Sequence, residues 1–461
     1  MLLALRIRNF LSFRDEAEIS LIAHKADKTL RSSLIKAKVA ARKTVDLLPV
    51  VAIYGANSSG KTNLLKSVDY LRSAVLHSQS KWEPDGGTRV RPFGDKHGRN
   101  DLTSIEVEFI LEDVRYVYGI VAHPGFFAEE WLKSFPLGRE RPLFQRISSV
   151  SPDFYKLKPG SEIEGQIKVN ASEHFTKDLE YLDGAVTRCR QNSLFLSVAA
   201  QDNHPICLKI YQWFRSIQVD NISISTDRSF AMSAAELIAS DPQSKSSILT
   251  VMKAADPNLV DIRVQKSDVS SSPPDFLEDV GARFRERYFR DFRYKVHFTV
   301  LDGSKKLNLP LEAQSRGFQK LFALSARVMS ALRKGGLFVV DELESSIHPH
   351  LARFIVDLFQ NPEVNVGKSQ LIFTTHDTNM LDQSLLRRDQ VWFVEKDKCC
   401  SELYSLLEFS PRKDENLEKG YLRGRYGAIP ALGLSANWLG SQNIQHELEP
   451  LPNDEEQALD G

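Results

Sequence analysis

"LLPVVAIYGANSSGKT", Leu47 to Thr62, decides how the rest of this chain is read. Its first half is an unbroken apolar run, the pattern of a strand buried on both faces. The run stops at Gly55, and Gly55–Thr62 fits the spacing G-x-x-x-x-G-K-[ST]. "TNLLKSVDYLRSAVL" then continues as a helix, so the loop lies between a buried strand and a helix N-terminus. There the spacing has a mechanism, because loop and helix N–H groups face phosphate oxygens. Lys61 would reach the β- and γ-phosphates of ATP, Thr62 would hold Mg²⁺, and Gly60 allows close backbone approach. Asn57, Ser58, Ser59 and Asn63 complete the expected binding surface. The plain alternative is a strand-to-helix turn that matches by chance.

Two later stretches supply what such a loop requires. "GLFVVDELESSIHPH", Gly336 to His350, is a buried strand ending in Asp341-Glu342. A P-loop NTPase places its Mg²⁺-supporting Asp at such a strand end. Glu342 is then placed to activate a water for attack on the γ-phosphate. Glu344 is the alternative base, or simply the start of the next helix. "LIFTTHD", Leu371 to Asp377, is a third strand ending in polar residues. Its His376 is either a γ-phosphate sensor or a satisfied loop histidine.

"LEAQSRGFQKLFAL", Leu311 to Leu324, allows two readings. Ser315 can be the N-cap of a helix running to about Leu332. With the bare N–H of Gly317 it can also be an anion site. The phosphate loop lies about 250 residues upstream and already cradles its own phosphates. The ligand of Ser315 and Gly317 would then be the γ-phosphate on another subunit.

The 461 residues leave room for two or three cores. They are 42% hydrophobic and 26% charged, with 60 basic and 60 acidic residues, which gives no global drive towards nucleic acid or anionic membrane. Cys189, Cys207, Cys399 and Cys400 are too few and too badly spaced for a disulfide framework or a zinc site. "MLLALRIRNF" is interrupted by Arg6 and Arg8, unlike a signal peptide, and no run approaches the ~20 apolar residues of a membrane span. The expectation is a cytoplasmic protein without membrane contact.

The expected fold class is α/β, with a helical block inserted in the middle. Residues 1–149 would form the first half of a nucleotide-binding head and 294–436 the second. Residues 150–293 would be a mainly helical insertion, with "SDVSSSPPDF" (Ser267 to Phe276) as its clearest linker. His24 to Lys43 reads as a basic loop or short helix, and 437–461 as an acidic, disordered tail.

Together, "GANSSGKT", "SRG", "VVDE" and "TTHD" resemble the ATP-binding head of ABC-type ATPases, the branch shared with SMC, RecF and Rad-type repair proteins. Closer still is a resemblance to the RloA-like ATPases of prokaryotic restriction and antiphage operons. It is carried by "RNFLSFRDEAEISL", "GANSSGKTNLL", "NSLFLSVAAQDN", "DELESSIHPHL", "TTHDTNMLD", "RRDQVWFVEKD" and "LEKGYLRGRYGAIP". The resemblance implies a mixed β-sheet core with an antiparallel β subdomain, and two heads that sandwich two ATP molecules. Lys61 and Thr62 would bind phosphate and Mg²⁺, Asp341 would support Mg²⁺, and Glu342 would be the catalytic base. Ser315 and Gly317 would act in trans, His376 would be the switch histidine, and "ESSIHPH" would cross the dimer interface. Arg8, Asn9 and Phe10 would lie near the base or ribose. Of the family's Leu-Ser-Gly-Gly-Gln, only the Ser and second Gly survive here, and Gln79 is the only glutamine soon after the phosphate-loop helix.

"ARFRERYFRDFRYK", Ala282 to Lys295, interleaves six basic residues with five aromatics. It is either a nucleic-acid contact for DNA or RNA or an amphipathic element with solvated arginines. The basic stretch Lys25–Lys43 offers the same choice, and "YLRGRYGAIP" reads as a docking segment for a partner. The expected function is an ATP-hydrolysing switch in antiphage defence. It would work as a homodimer or higher homo-oligomer and control an effector encoded beside it. The alternatives are an ATP-stabilised scaffold that sequesters a toxin, and a RecF- or SMC-like DNA-repair ATPase. The latter would need a long coiled-coil arm or a strong DNA-binding face, and the middle block shows no sustained heptads.

Overall fold

A computed structural model describes residues 1–40, 43–94, 102–149, 166–176, 182–220, 227–267, 280–412 and 415–430. The acidic tail and most of the proline-containing linker lie outside them.

The first half holds strands β1 (Leu2–Arg8), β2 (Ala17–Ser20), β3 (Ile35–Ala40), β4 (Lys43–Leu47) and β5 (Val50–Tyr54), then helix α1 (Lys61–His77). It continues with β6 (Thr103–Leu111), β7 (Val114–Ala122), β8 (Phe127–Ser134) and β9 (Arg141–Ser148), and β10 (Ile167–Ala171) opens the middle segment. The middle holds α2 (Glu173–Thr176), α3 (Leu182–Arg188), α4 (Phe195–Gln201), α5 (Pro205–Ser216), β11 (Gln218–Asp220), α6 (Asp227–Ser240), α7 (Pro242–Lys253), β12 (Leu259–Lys266) and α8 (Ala282–Asp291). Then come β13 (Tyr294–Asp302), β14 (Lys305–Pro310), α9 (Arg316–Lys334), β15 (Leu337–Val340), α10 (Pro349–Gln360), β16 (Gln370–Thr374), β17 (Val391–Asp397), β18 (Cys400–Ser405) and α11 (Leu417–Leu422).

Two sheets organise these elements. The antiparallel sheet has the order β10-β9-β8-β7-β6-β1-β2, and "TSIEVEFIL" in β6 alternates in and out as a one-faced strand should. The second sheet has the order β11-β15-β16-β5-β17-β18, parallel throughout except for the final β17–β18 hairpin. Its central strands β5, β15 and β16 are buried along their whole length, as their apolar runs require. The fold is α/β, a mixed sheet joined to an antiparallel lobe.

The middle segment does not stand apart. Its β10 extends the antiparallel sheet and its β11 extends the parallel one. Helix α4 is capped by the fully buried Glu130 of β8, which accepts from the N–H groups of Phe195 (2.6 Å) and Leu196 (2.9 Å) and from Tyr118 Oη (2.9 Å). Burial raises the Glu130 carboxyl above its ordinary range, and Arg146 and the three donors pull it back.

The two sheets are joined by one buried amide. Gln370, the first residue of β16, accepts from Leu2 N (2.6 Å) and donates to Leu2 O (2.9 Å) and Leu48 O (3.3 Å). A second junction is made by Arg387, which is fully buried and paired with Asp389 at 2.7 Å. It also donates to the carbonyls of His24, Asp27 and Thr29.

The stretch His24–Lys43 corrects the expectation of a loop or short helix. After a 3₁₀ turn at Arg31–Ser33 it forms strand β3, paired antiparallel with β4. In "IKAKVA" the alternate residues Ile35, Ala37 and Val39 are buried while Lys36 and Lys38 are exposed. The lysines are the polar face of a strand, and alternation within a basic stretch was the signal.

Candidate nucleotide-binding site

Parallel strands present their carboxyl ends to a ligand. Here β5, β16 and β15 end side by side, with β16 between the phosphate-loop strand and the Asp-Glu strand. The register pairs Thr374 with Ile53 and Phe373 with Val340, so the three polar continuations emerge at one level. Strand order thus brings together Lys61, Thr62, Asp341, Glu342 and His376, which are up to about 300 residues apart in sequence.

The loop is held open by its backbone. Ser58 (φ 61°) and Gly60 (φ 114°) adopt left-handed conformations, and Gly60 N-caps α1. A Cβ on Gly60 would also meet Ser12 Oγ at 2.7 Å, so the position requires glycine twice over. Behind the loop, Ser401 of β18 donates to Ser59 O (2.5 Å) and contacts Ser12 Oγ (2.7 Å), while Asn63 Nδ2 donates to Ser12 Oγ (2.9 Å). Ser12 and Ser401 are neighbours of the loop that the sequence reading did not single out. Asn57 and Ser58 are exposed, whereas Ser59 is buried.

Lys61 is 6% exposed and folds back to donate to Gly55 O (2.8 Å) and Ala56 O (2.9 Å). Burial lowers its ammonium from 10.5 to about 8, against the opposing pull of Asp341, Glu342 and Glu344. The unfolded chain therefore binds more protons than the folded one between about pH 8 and 10.5, and stability rises with pH there. Relative to Lys61→Met, the native protein should gain up to about 3 kcal/mol across that window. Melting temperatures of both proteins against pH would show it, and parallel curves would refute it.

Thr62 Oγ1 donates to Asp341 Oδ2 at 2.8 Å, and Thr374 Oγ1 donates to Asp341 Oδ1 at 2.6 Å. Glu342 is exposed and left-handed (φ 50°), and its N–H donates to Thr374 Oγ1 at 2.7 Å. Glu344, the alternative base, has Oε1 engaged by the His376 N–H at 2.6 Å. It therefore anchors the histidine loop, and Glu342 carries the accessible carboxylate. Burial and nearby Lys61 hold the His376 imidazole below its ordinary value, against the pull of Glu344, Glu342 and Asp341.

A hydroxyl and a carboxylate facing one another form a hard oxygen donor set, which suits Mg²⁺ with retained waters. A lysine parked on two loop carbonyls is a cation ready to move onto phosphate. The residues present therefore fit ATP and Mg²⁺. Among the described residues no cluster of three or more His, Cys, Asp or Glu could hold another metal.

Ser315 is the N-cap of α9 and accepts from Phe318 N at 3.3 Å. Gly317 is bare for a packing reason as well, since a Cβ there would approach Ser346 O to 2.6 Å. Lys320 donates to the neighbouring Ser345 O, tying α9 to the loop after β15. Ser315 and Arg316 are nonetheless exposed.

Of the stretch "RNFLSF", Asn9 and Phe10 are buried. Asn9 accepts from Phe93 N (3.1 Å) and Thr103 Oγ1 (2.6 Å), and Phe10 packs against Tyr70. They build the lobe, and Ser12 is the residue of this stretch that reaches the phosphate loop. Gln79 follows α1 and donates weakly to Arg188 O at 3.5 Å. In α8, Tyr288 stacks on Phe292 at 4.4 Å and Arg228 covers Phe292 at 3.7 Å, so these rings are taken. Arg285, Arg287 and Arg290 are exposed. In "YLRGRYGAIP", Tyr421 and Tyr426 are buried against Phe393, and Tyr421 also meets Tyr54. These two rings belong to the head's own core, while Leu422, Arg423, Arg425 and Ile429 of the same segment are exposed.

Such an arrangement, a phosphate loop one strand away from an Asp-Glu strand end, is how a P-loop ATPase domain binds ATP. The chain matches the family described as "AAA domain, putative AbiEii toxin, Type IV TA system" over residues 50–156 and 193–382, and it belongs to that family. Solved structures similar to it include an Smc head bound to the C-winged helix domain of ScpA, at 13% identity and TM-score 0.39 over 89% of this chain and 99% of that one. The SMC head domain from Thermotoga maritima aligns at 13% identity and TM-score 0.37, covering 88% and 98% of the two chains. An Smc head with an extended coiled coil, bound to the C-terminal domain of ScpA derived from Pyrococcus furiosus, aligns at 14% and 0.37, covering 88% and 97%. No curated protein matches the chain.

Proposed function

We propose that this protein is an ATP-binding and hydrolysing molecular switch that dimerises through composite ATP sites. In this reading it is the cytoplasmic sensor or regulatory ATPase of an antiphage defence system and controls a separate effector protein. The observation that carries it is the meeting of Lys61, Thr62, the Asp341 carboxylate and an exposed Glu342 at the carboxyl ends of the central strands. No helix among the described residues is long and apolar enough to cross a membrane.

Lys61 leaves the carbonyls of Gly55 and Ala56 for the phosphates and neutralises their charge. Thr62 and Asp341 would hold Mg²⁺, which would supply charge compensation on the phosphate oxygens. Glu342 accepts the proton of the attacking water, and His376, tethered by Glu344, monitors the γ-phosphate.

Capping and trans contact are compatible for Ser315. Its oxygen accepts from Phe318 N while its O–H remains free to donate to a phosphate on a second copy. Lys61→Ala and Ser315→Ala proteins should each be inactive alone. Mixed in equal amounts, they should recover about a quarter of native ATPase activity, since half the random dimers carry one intact composite site. No recovery would remove the trans site.

A toxin-sequestering scaffold is the second reading; the family description places the domain in a toxin–antitoxin system, though as the putative toxin. A DNA-repair clamp is less well supported. The longest helix among the described residues is the 19-residue α9, whose buried face packs into the head.

A further inference from the structure

We propose that Thr374 is a positioning residue for ATP hydrolysis, whose hydroxyl sets both the Mg²⁺-supporting carboxylate and the backbone that aims the catalytic base. The inference rests on the hydrolytic reading of the site.

Thr374 ends β16, the strand between the phosphate-loop strand and the Asp-Glu strand, and it is fully buried. Its hydroxyl has two partners and a fixed polarity. A carboxylate only accepts and an N–H only donates. The proton therefore points to Asp341 Oδ1 (2.6 Å), and a lone pair receives Glu342 N–H (2.7 Å). The Thr374 carbonyl accepts from Leu343 N at 3.1 Å, so side chain and backbone together grip the turn after β15.

That grip has a specific use at Glu342. A non-glycine residue at φ 50° sits in a sparsely populated region and stays there only when its surroundings over-determine it. The Thr374 oxygen holds the N–H of this very residue. At Asp341, occupation of Oδ1 by Thr374 leaves Oδ2 to face Thr62 Oγ1. One buried hydroxyl thus fixes the rotation of the metal-supporting carboxylate and the direction of the neighbouring carboxylate.

Valine keeps the shape of threonine and removes the donor and acceptor, whereas serine keeps both. Steady-state ATPase kinetics, binding of a fluorescent ATP analogue and melting temperature would be measured for Thr374→Val, Thr374→Ser and Glu342→Gln beside the native protein. The expected result for Thr374→Val is a kcat at least about tenfold lower with analogue affinity within about threefold of native. Thr374→Ser should keep at least about half of native kcat. The proposal is overturned if Thr374→Val turns over at the native rate while Glu342→Gln is inactive, a result that leaves the hydrolytic reading standing. It is overturned equally if Thr374→Ser falls as far as Thr374→Val, or if Thr374→Val no longer binds the analogue. The side chain would then serve packing and not alignment. If Glu342→Gln turns over like the native protein, the hydrolytic reading fails and this proposal fails with it.

Discussion

Lys61→Ala should weaken ATP binding at least about 100-fold, the loss expected for a charge-assisted contact worth about 3 kcal/mol. Hydrolysis and any nucleotide-dependent dimer should disappear with it. The size follows from where the lysine sits. It is almost fully buried at the loop and holds its ammonium on two loop carbonyls, beside where the phosphates would lie. Removing it also takes a donor from the Gly55 carbonyl, whereas the Ala56 carbonyl keeps the Ser59 N–H at 3.3 Å. Titration with labelled ATP should therefore be accompanied by a melting curve. Native-like affinity in a folded Lys61→Ala protein would remove the phosphate-loop assignment.

Glu342→Gln should lower kcat by roughly 100- to 1,000-fold, within the range by which a positioned general base accelerates proton transfer. Binding should survive, because the side chain is exposed and the backbone bond to Thr374 does not involve the carboxylate. ATP-bound dimers should then accumulate and be visible by size-exclusion chromatography with light scattering. Unchanged turnover would dismiss Glu342 as the base. The pair of variants also separates switch from scaffold in cells. If Glu342→Gln keeps full protection against phage while Lys61→Ala loses it, ATP binding alone is the working event and the scaffold reading gains.

Much of the site was legible because its chemistry is local. Val50–Tyr54, the loop to Thr62 and α1 carry their own signals, an apolar run, a fixed spacing and a helix start. Asp341, Glu342 and His376 each follow an apolar strand and could be found for the same reason. The rest depends on which strands become neighbours, and no local pattern encodes that. Thr374 looked like the last residue of a strand until β16 was placed between β5 and β15. Ser12 and Ser401 are 389 residues apart; the "RNFLSF" stretch points towards the nucleotide through Arg8, Asn9 and Phe10, not through Ser12, and nothing near Ser401 marks it. Tyr421 and Tyr426 sat in a basic, glycine-containing segment whose composition suggested a surface, although their rings are buried under Phe393. Asn9 is a polar residue in a motif-like stretch, and its side chain completes backbone hydrogen bonding inside the lobe.

The buried amide at Gln370 acquires a mechanical meaning from its distance to Thr374. One end of β16 is bolted to Leu2 and Leu48, and the other reaches the phosphates' side of the sheet. Five extended residues make a strut of about 13 Å between those anchor points. A strand gripped at both ends transmits displacement and does not absorb it. In the proposed switch, a shift of the Asp341–Glu342 turn on nucleotide binding would reach the root of the antiparallel lobe through this strut. The lobe would then move with the nucleotide without touching it.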